Sequence, residues 1–69
     1  MTIIQAVLFD RSVYDTKHAR AFLARHGMRP IKGVHKTDNY LRYRLLEPVH
    51  GARYRIVDAG QGVKYIMEY

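Results

Sequence analysis

Two copies of an Arg-Tyr-Arg motif are the residues with the clearest potential for chemistry. They occupy residues 42–44 and 53–55, and each lies among aromatic and branched apolar residues typical of a strand. The planar guanidinium group of arginine can donate two hydrogen bonds at once to a phosphate or a carboxylate. The tyrosine ring offers a surface on which a nucleic-acid base can stack. The motifs therefore indicate recognition of an anionic, phosphate-bearing ligand.

Side chains alternate between the two faces of a strand, which predicts how the residues of both motifs divide. One face carries the predicted core residues Leu41, Tyr43, Leu45, Tyr54 and Ile56. The other face carries Tyr40, Arg42, Arg44, Arg53 and Arg55. If residues 40–46 and 53–58 form a hairpin with its apolar face buried, the arginines of the two motifs pair with one another. In that register Arg44 lies opposite Arg53, and Arg42 lies opposite Arg55.

The predicted arginine cluster implies a ligand, because like charges directly opposite each other destabilise a sheet by roughly 0.2–1 kcal/mol per pair. A domain this small has little stability to lose, so a bound anion would offset the repulsion. His35 reaches the same face if Asp38 and Asn39 form a two-residue turn. The predicted ligand-binding residues are therefore Arg42, Arg44, Arg53, Arg55, Tyr40 and His35.

Two other interpretations of the arginines stay open. Arginine and tyrosine suit any solvated strand face, because the long arginine stem can shield apolar surface. Salt bridges to a second protein chain could also neutralise the charge.

The overall charge favours acidic partners. The chain has 69 residues, with 12 Lys+Arg against 6 Asp+Glu, a formal net charge of +6 and a pI near 10. Such a balance suits nucleic acid, nucleotides, acidic protein surfaces or anionic lipid. The absence of cysteine excludes disulfides and thiolate metal sites.

Neither catalysis nor metal binding is predicted. Ser12 is the only serine, and the sequence has no nucleophile-elbow, Walker-type or dinucleotide-binding motif. His18 and His26 are two helical turns apart, which is too far for a shared metal ion. We therefore predict a non-enzymatic protein with no cofactor and no metal.

One domain spanning residues 1–69 is predicted, because no linker or repeat interrupts the chain. The hydrophobic pattern predicts a helix at residues 16–26 and strands at residues 3–9, 31–36, 40–46, 53–58 and 63–67. The order β-α-β-β-β-β favours an α+β fold, with one helix packed on a four- to five-stranded, mainly antiparallel sheet.

The predicted helix has clear ends and a clear apolar stripe. Asp15 or Thr16 can cap its first turn, and Gly27 supplies a left-handed stop after which Met28 can fold back. The stripe that should face the sheet includes Phe22 and Leu23.

The first predicted strand is apolar on both faces, which predicts a central strand or an interface strand. With so small a core, we also predict a homo-oligomer. The longest apolar run, residues 3–9, is too short to cross a bilayer, so we expect no membrane association and a cytoplasmic location.

Three segments resemble a family of short uncharacterised proteins from tailed phages and large DNA viruses. They are "TKHARAFLARHG" at residues 16–27, "KTDNYLRYRLLEP" at residues 36–48 and "GVKYI" at residues 62–66. The most specific part is Asn39, Arg42, Tyr43 and Arg44 followed by Pro48. The chain departs from the family at Phe22, where Trp is frequent, and at Leu45, where Gln is usual. The resemblance implies a viral origin and action in the host-cell cytoplasm, but no defined activity.

These observations leave two classes of function. The first is a small basic viral accessory protein that binds a phosphate-bearing ligand, with nucleic acid favoured. Its alternative is an anti-defence protein that sequesters a nucleotide or cyclic-nucleotide immune signal as an oligomer. The second class is a protein-interaction module, either an inhibitor of a host enzyme or a virion component.

Overall fold

A single helix packs on one face of a five-stranded antiparallel sheet in the computed structural model, which describes residues 3–69. The elements are β1 (Ile3–Asp10), α1 (Thr16–Arg25), β2 (His35–Lys36), β3 (Tyr40–Arg44), β4 (Tyr54–Gly60) and β5 (Val63–Glu68). Their order across the sheet is β2-β3-β1-β5-β4, and every neighbouring pair is antiparallel. The predicted α+β architecture is confirmed. The second strand is shorter than predicted, since only His35 and Lys36 of residues 31–36 join the sheet.

The strand with two apolar faces lies in the middle of the sheet, as its sequence indicates. β1 pairs with β3 on one side and β5 on the other. Its register with β5 shifts between Ile4 and Ala6, which leaves Gln5 in a bulge. The Gln5 side chain is buried, and its Nε2 donates a hydrogen bond of 2.8 Å to the Leu46 carbonyl.

The helix ends form as the sequence predicts. Asp15 caps the first turn, because its carboxylate accepts a 2.8 Å hydrogen bond from the His18 amide. Gly27 adopts a left-handed φ of +68°, and the Met28 amide then donates to the Leu23 carbonyl at 2.8 Å. Met28 packs against the core, as expected for this type of helix end.

The core lies between α1 and the sheet, around the ring of Phe9. Phe9 is fully buried and contacts three other aromatic rings, those of Tyr14, Phe22 and Tyr43, at centroid distances of 4.9, 5.4 and 5.7 Å. The other buried members of this cluster are Val7, Ala19, Leu23, Leu41 and Val63. Burial raises the pKa of the Tyr43 hydroxyl. Of the predicted core residues, Leu23, Leu41 and Tyr43 are buried, and Phe22 and Leu45 are partly buried.

The predicted hairpin between residues 40–46 and 53–58 is wrong. β3 pairs with β1 and β2, whereas β4 pairs only with β5. The tight turn at Gln61, flanked by Gly60 and Gly62 with φ near +80°, joins β4 to β5 directly. β1 is the central strand of the sheet, and β3 and β5 flank it. The segment at 45–53 must then cross the end of the sheet to reach β4.

The prediction that Tyr54 and Ile56 belong to the core is also wrong. β4 is an edge strand, all seven of its residues are exposed, and Tyr54 and Ile56 retain 37% and 62% of their accessible surface. In the observed register Ile56 lies opposite Ile66, Ile66 opposite Ala6, and Ala6 opposite Arg44. Residues directly opposite each other share a face of the sheet, so Ile56 lies on the same face as Arg44.

Candidate anion-binding site

The sheet face away from α1, called the open face below, carries four of the six predicted ligand-binding residues. Leu41 and Tyr43 point into the core with α1, so the alternate residues Tyr40, Arg42 and Arg44 point to the open face. His35 lies directly opposite Arg42 and joins them. These four residues are therefore brought together on β2 and β3.

Arg53 and Arg55 do not join this group, so the predicted cluster of four arginines is wrong. Arg55 lies opposite Met67, one residue out of phase with Ile56, and so belongs to the face that carries α1. Its guanidinium carbon lies 5.5 Å from the ring centroid of Tyr69. Arg53 exchanges backbone hydrogen bonds with Tyr69 at the same end of the edge. The error follows from the pairing of β4 with β5 instead of β3.

A basic concavity of about 230 Å³ lies where β2 and β3 meet the preceding loop. Its lining consists of Lys32, Gly33, His35, Arg42 and Arg44. Lys32 was missed as a site residue, although its charge beside a glycine could have indicated it. The ammonium group of Lys32 lies 3.2 Å from one carboxylate oxygen of Glu47, and the Arg44 guanidinium lies 4.0 Å from the other.

The two arginines of the concavity hold donors without acceptors. The Nε atoms of Arg42 and Arg44 are buried and have no hydrogen-bond partner within residues 3–69. A buried donor without an acceptor costs about 1–3 kcal/mol, and more for a charged group. Because both Nε atoms are enclosed, an anion could accept hydrogen bonds from them only after the arginine side chains move.

A second, mostly apolar concavity of about 400 Å³ lies beside the first on the open face. Ile56 and Ile66 supply its apolar surface, and Gln5, Pro48 and Tyr54 surround them. Arg55 also lines it, at the β4 edge. Arg42 lines both concavities and so connects the basic one to the apolar one.

Tyr40 is not a free stacking surface. The Lys64 ammonium donates a hydrogen bond of 3.0 Å to the Tyr40 hydroxyl and lies 5.4 Å from the ring centroid. This hydrogen bond raises the pKa of Lys64 above its ordinary value. Lys64 was missed as a site residue because it stands in an apolar strand, but alternation places it opposite Leu8 on the open face.

Two acidic groups near the open face are engaged in turns. The Asp10 carboxylate accepts hydrogen bonds from the Ser12 hydroxyl and amide at 2.7 and 2.8 Å, and these bonds lower its pKa. The Asp58 carboxylate accepts a 2.7 Å hydrogen bond from the Gly60 amide. Both residues stabilise turns at the ends of their strands, and neither lines the basic concavity.

Comparisons with protein-family models, curated proteins and solved structures found no match. The resemblance to short viral proteins therefore stays a prediction that rests on the motif around Arg42 and Arg44. Residues 3–69 include no group of three or more His, Cys, Asp or Glu side chains that could hold a metal ion. No helix in this part of the chain is long and apolar enough to cross a bilayer.

Proposed function

We propose that the protein binds nucleic acid, with the phosphate backbone held by Arg42 and Arg44 on the open face. The observation that supports this most is that Arg42 and Arg44 line one basic concavity on the open face. Phosphate oxygens are the acceptors that fit two-point hydrogen bonding by arginine. Lys32 and His35 add donors at the rim of the same concavity.

An open basic face suits a polymer better than a single small anion. The basic concavity and the further cation at Lys64 both lie on the open face of one chain. Sequestration of a cyclic nucleotide, the alternative, would be favoured by a pocket closed between protomers. Neutralising several phosphates releases counterions, so the net charge of +6 also favours a polyanion.

The test compares two doubly substituted variants that lose the same charge. The first is Arg42→Ala with Arg44→Ala, and its control is Arg25→Ala with Arg53→Ala, two exposed arginines away from the concavity. Fluorescence anisotropy with labelled single-stranded DNA, single-stranded RNA and duplex DNA measures affinity between 50 and 200 mM salt. The first variant should bind at least about tenfold more weakly than wild type. The slope of its log affinity against log salt concentration should decrease by the equivalent of about one phosphate contact or more.

The control variant should lose far less affinity than the first, because the two variants share only the reduction in net positive charge. Equal loss in the two variants, or no binding of any nucleic acid by the wild type at 50 mM salt, would refute the proposal. The protein-interaction alternative would then take its place.

A second function, self-association, is favoured by the β4 edge. Arg53 and Tyr69 exchange two backbone hydrogen bonds, so Tyr54, Ile56 and Asp58 direct their amides away from β5. β4 also exposes Ile56 on one face and Val57, at 39%, on the other. A long edge with apolar side chains is a template for pairing with another strand. We propose that two copies pair through β4 and form one continuous sheet.

A further inference from the structure

We propose that the apolar concavity seats the unpaired base of a nucleotide unit whose phosphate contacts Arg42 and Arg44. This inference rests on the proposed binding of phosphate at the basic concavity and names the ligand more closely. The ligand is a nucleoside phosphate with an accessible base, either within a single strand or as a free nucleotide. Duplex DNA or RNA cannot present such a base without opening a pair.

The concavity exposes apolar side chains on the open face of the sheet. Ile56 is 62% exposed and lies beside the partly buried Ile66 in the same row of the open face. The concavity measures about 400 Å³, within the range of small-molecule sites. A flat heteroaromatic base would cover both isoleucine side chains at once and remove apolar surface from water.

The walls of the concavity are held in place before any ligand arrives. The Tyr54 hydroxyl accepts a 2.8 Å hydrogen bond from the Val49 amide and donates one of 3.1 Å to the Glu68 carboxylate. The buried Gln5 amide is fixed by its bond to the Leu46 carbonyl. Because these groups are already ordered, binding would not need to immobilise them, which reduces its entropic cost. The Tyr54 ring is therefore positioned as a stacking surface, a role that Tyr40 cannot fill while Lys64 covers it.

The link between the two concavities is a single side chain. Arg42 lines both concavities. A phosphate at the guanidinium group and a base on Ile56 and Ile66 would thus lie on either side of one arginine. That arrangement separates an acidic part from an apolar, aromatic part in the same way as a nucleotide does.

The decisive experiment compares two single strands of equal charge, one with bases and one without, and a duplex that has twice the phosphates but no accessible base. A labelled thymidine ten-mer, the same strand with abasic sugars throughout and a ten-base-pair duplex are titrated into the full-length protein at one salt concentration. We expect the thymidine strand to bind at least about tenfold more tightly than both the abasic strand and the duplex. Thymidine monophosphate is then added as a competitor, to distinguish a free nucleotide from a single strand as the ligand. Competition at millimolar concentration indicates that one nucleotide is sufficient for binding, and no competition indicates that a strand is required.

The matched variants are neighbours on the same exposed strand. Ile56→Ser alters the concavity, whereas Val57→Ser alters the opposite face of β4. Ile56→Ser should weaken the thymidine strand several-fold and leave the abasic strand unchanged, while Val57→Ser should change neither.

Equal affinity for the thymidine and abasic strands would overturn the base site but leave the phosphate site standing. Failure of both strands to bind would overturn the proposed function together with this inference. Weakening of both strands by Ile56→Ser alike would also overturn the base site, because the effect would not depend on a base.

Discussion

The Lys64 ammonium and the Tyr40 hydroxyl meet across β1 at 3.0 Å, although β3 and β5 are not neighbours in the sheet. The hydrogen bond favours the charged form of Lys64, so the pKa of its ammonium group is raised above the ordinary value. A raised lysine pKa stabilises the folded state below the ordinary value, and this contribution is lost as pH rises through the folded-state pKa.

Tyr40→Phe should therefore lower the pKa of Lys64 toward its ordinary value, while retaining the ring. The measurement is an NMR titration of the lysine side chains between pH 9 and 12 in wild type and variant. The ammonium resonance assigned to Lys64 should shift at lower pH in the variant, and the other lysines should be unchanged. An unchanged Lys64 titration would show that the hydrogen bond does not persist in solution.

Phe9 should be the most sensitive aromatic residue in the core. Phe9→Ala removes a fully buried ring that contacts three others, and should lower the free energy of unfolding by about 3–5 kcal/mol. Phe22→Ala should cost about 1–2 kcal/mol, because Phe22 is only partly buried on the helix. Urea denaturation of both variants checks the ranking, and a larger loss for Phe22→Ala would contradict the observed burial.

Local sequence signals predicted the helix and the central strand because each depends on nearby residues. The cap at Asp15, the stop at Gly27 and the two apolar faces of β1 are all readable within a few positions. The partner of β3 was not readable in that way. Arg42 and Arg55 stand in almost identical motifs, but the pairing of distant strands places them on opposite faces. The half of the candidate site on β2 and β3 was therefore predictable, whereas Lys64 and the apolar concavity were not.

Because Asp15 caps α1, the stability of the helix should decrease at acidic pH. Hydrogen bonds from the His18 amide and ring lower the pKa of the Asp15 carboxyl group. A lowered carboxyl pKa contributes stability above the ordinary value, and that contribution is lost as pH falls through the folded-state pKa. Asp15→Ala should lower the melting temperature by several degrees at pH 7 and by less at pH 2. Equal effects at both pH values would show that the charge of the cap is unimportant.

If two copies associate through β4, a suitable substitution on that strand should give a protein that is monomeric but still folded. In a symmetric antiparallel pairing centred on Ile56, Val57 of one copy lies opposite Arg55 of the other, so Val57→Lys brings two cations together. Wild type should be dimeric by light scattering at micromolar concentration, and Val57→Lys should be monomeric with an unchanged far-ultraviolet circular dichroism spectrum. Val13→Lys, at a more exposed valine outside β4, serves as the control and should remain dimeric. A monomeric wild type would refute self-association.

Glu47 should act as an internal competitor for the anion at the basic concavity. Its carboxylate lies 3.2 Å from the Lys32 ammonium and 4.0 Å from the Arg44 guanidinium, so a bound phosphate would compete with it for both cations. Glu47→Gln should strengthen binding of single-stranded nucleic acid several-fold at 50 mM salt, and the gain should shrink at 200 mM as the charges are screened. The free energy of unfolding should change by less than about 1 kcal/mol, because these are exposed surface ion pairs. Asp38→Asn removes an equal charge in the turn between β2 and β3, outside both concavities, and should strengthen binding less. If Glu47→Gln instead weakens binding while the protein stays folded, Glu47 positions the cations for the ligand and does not compete with it.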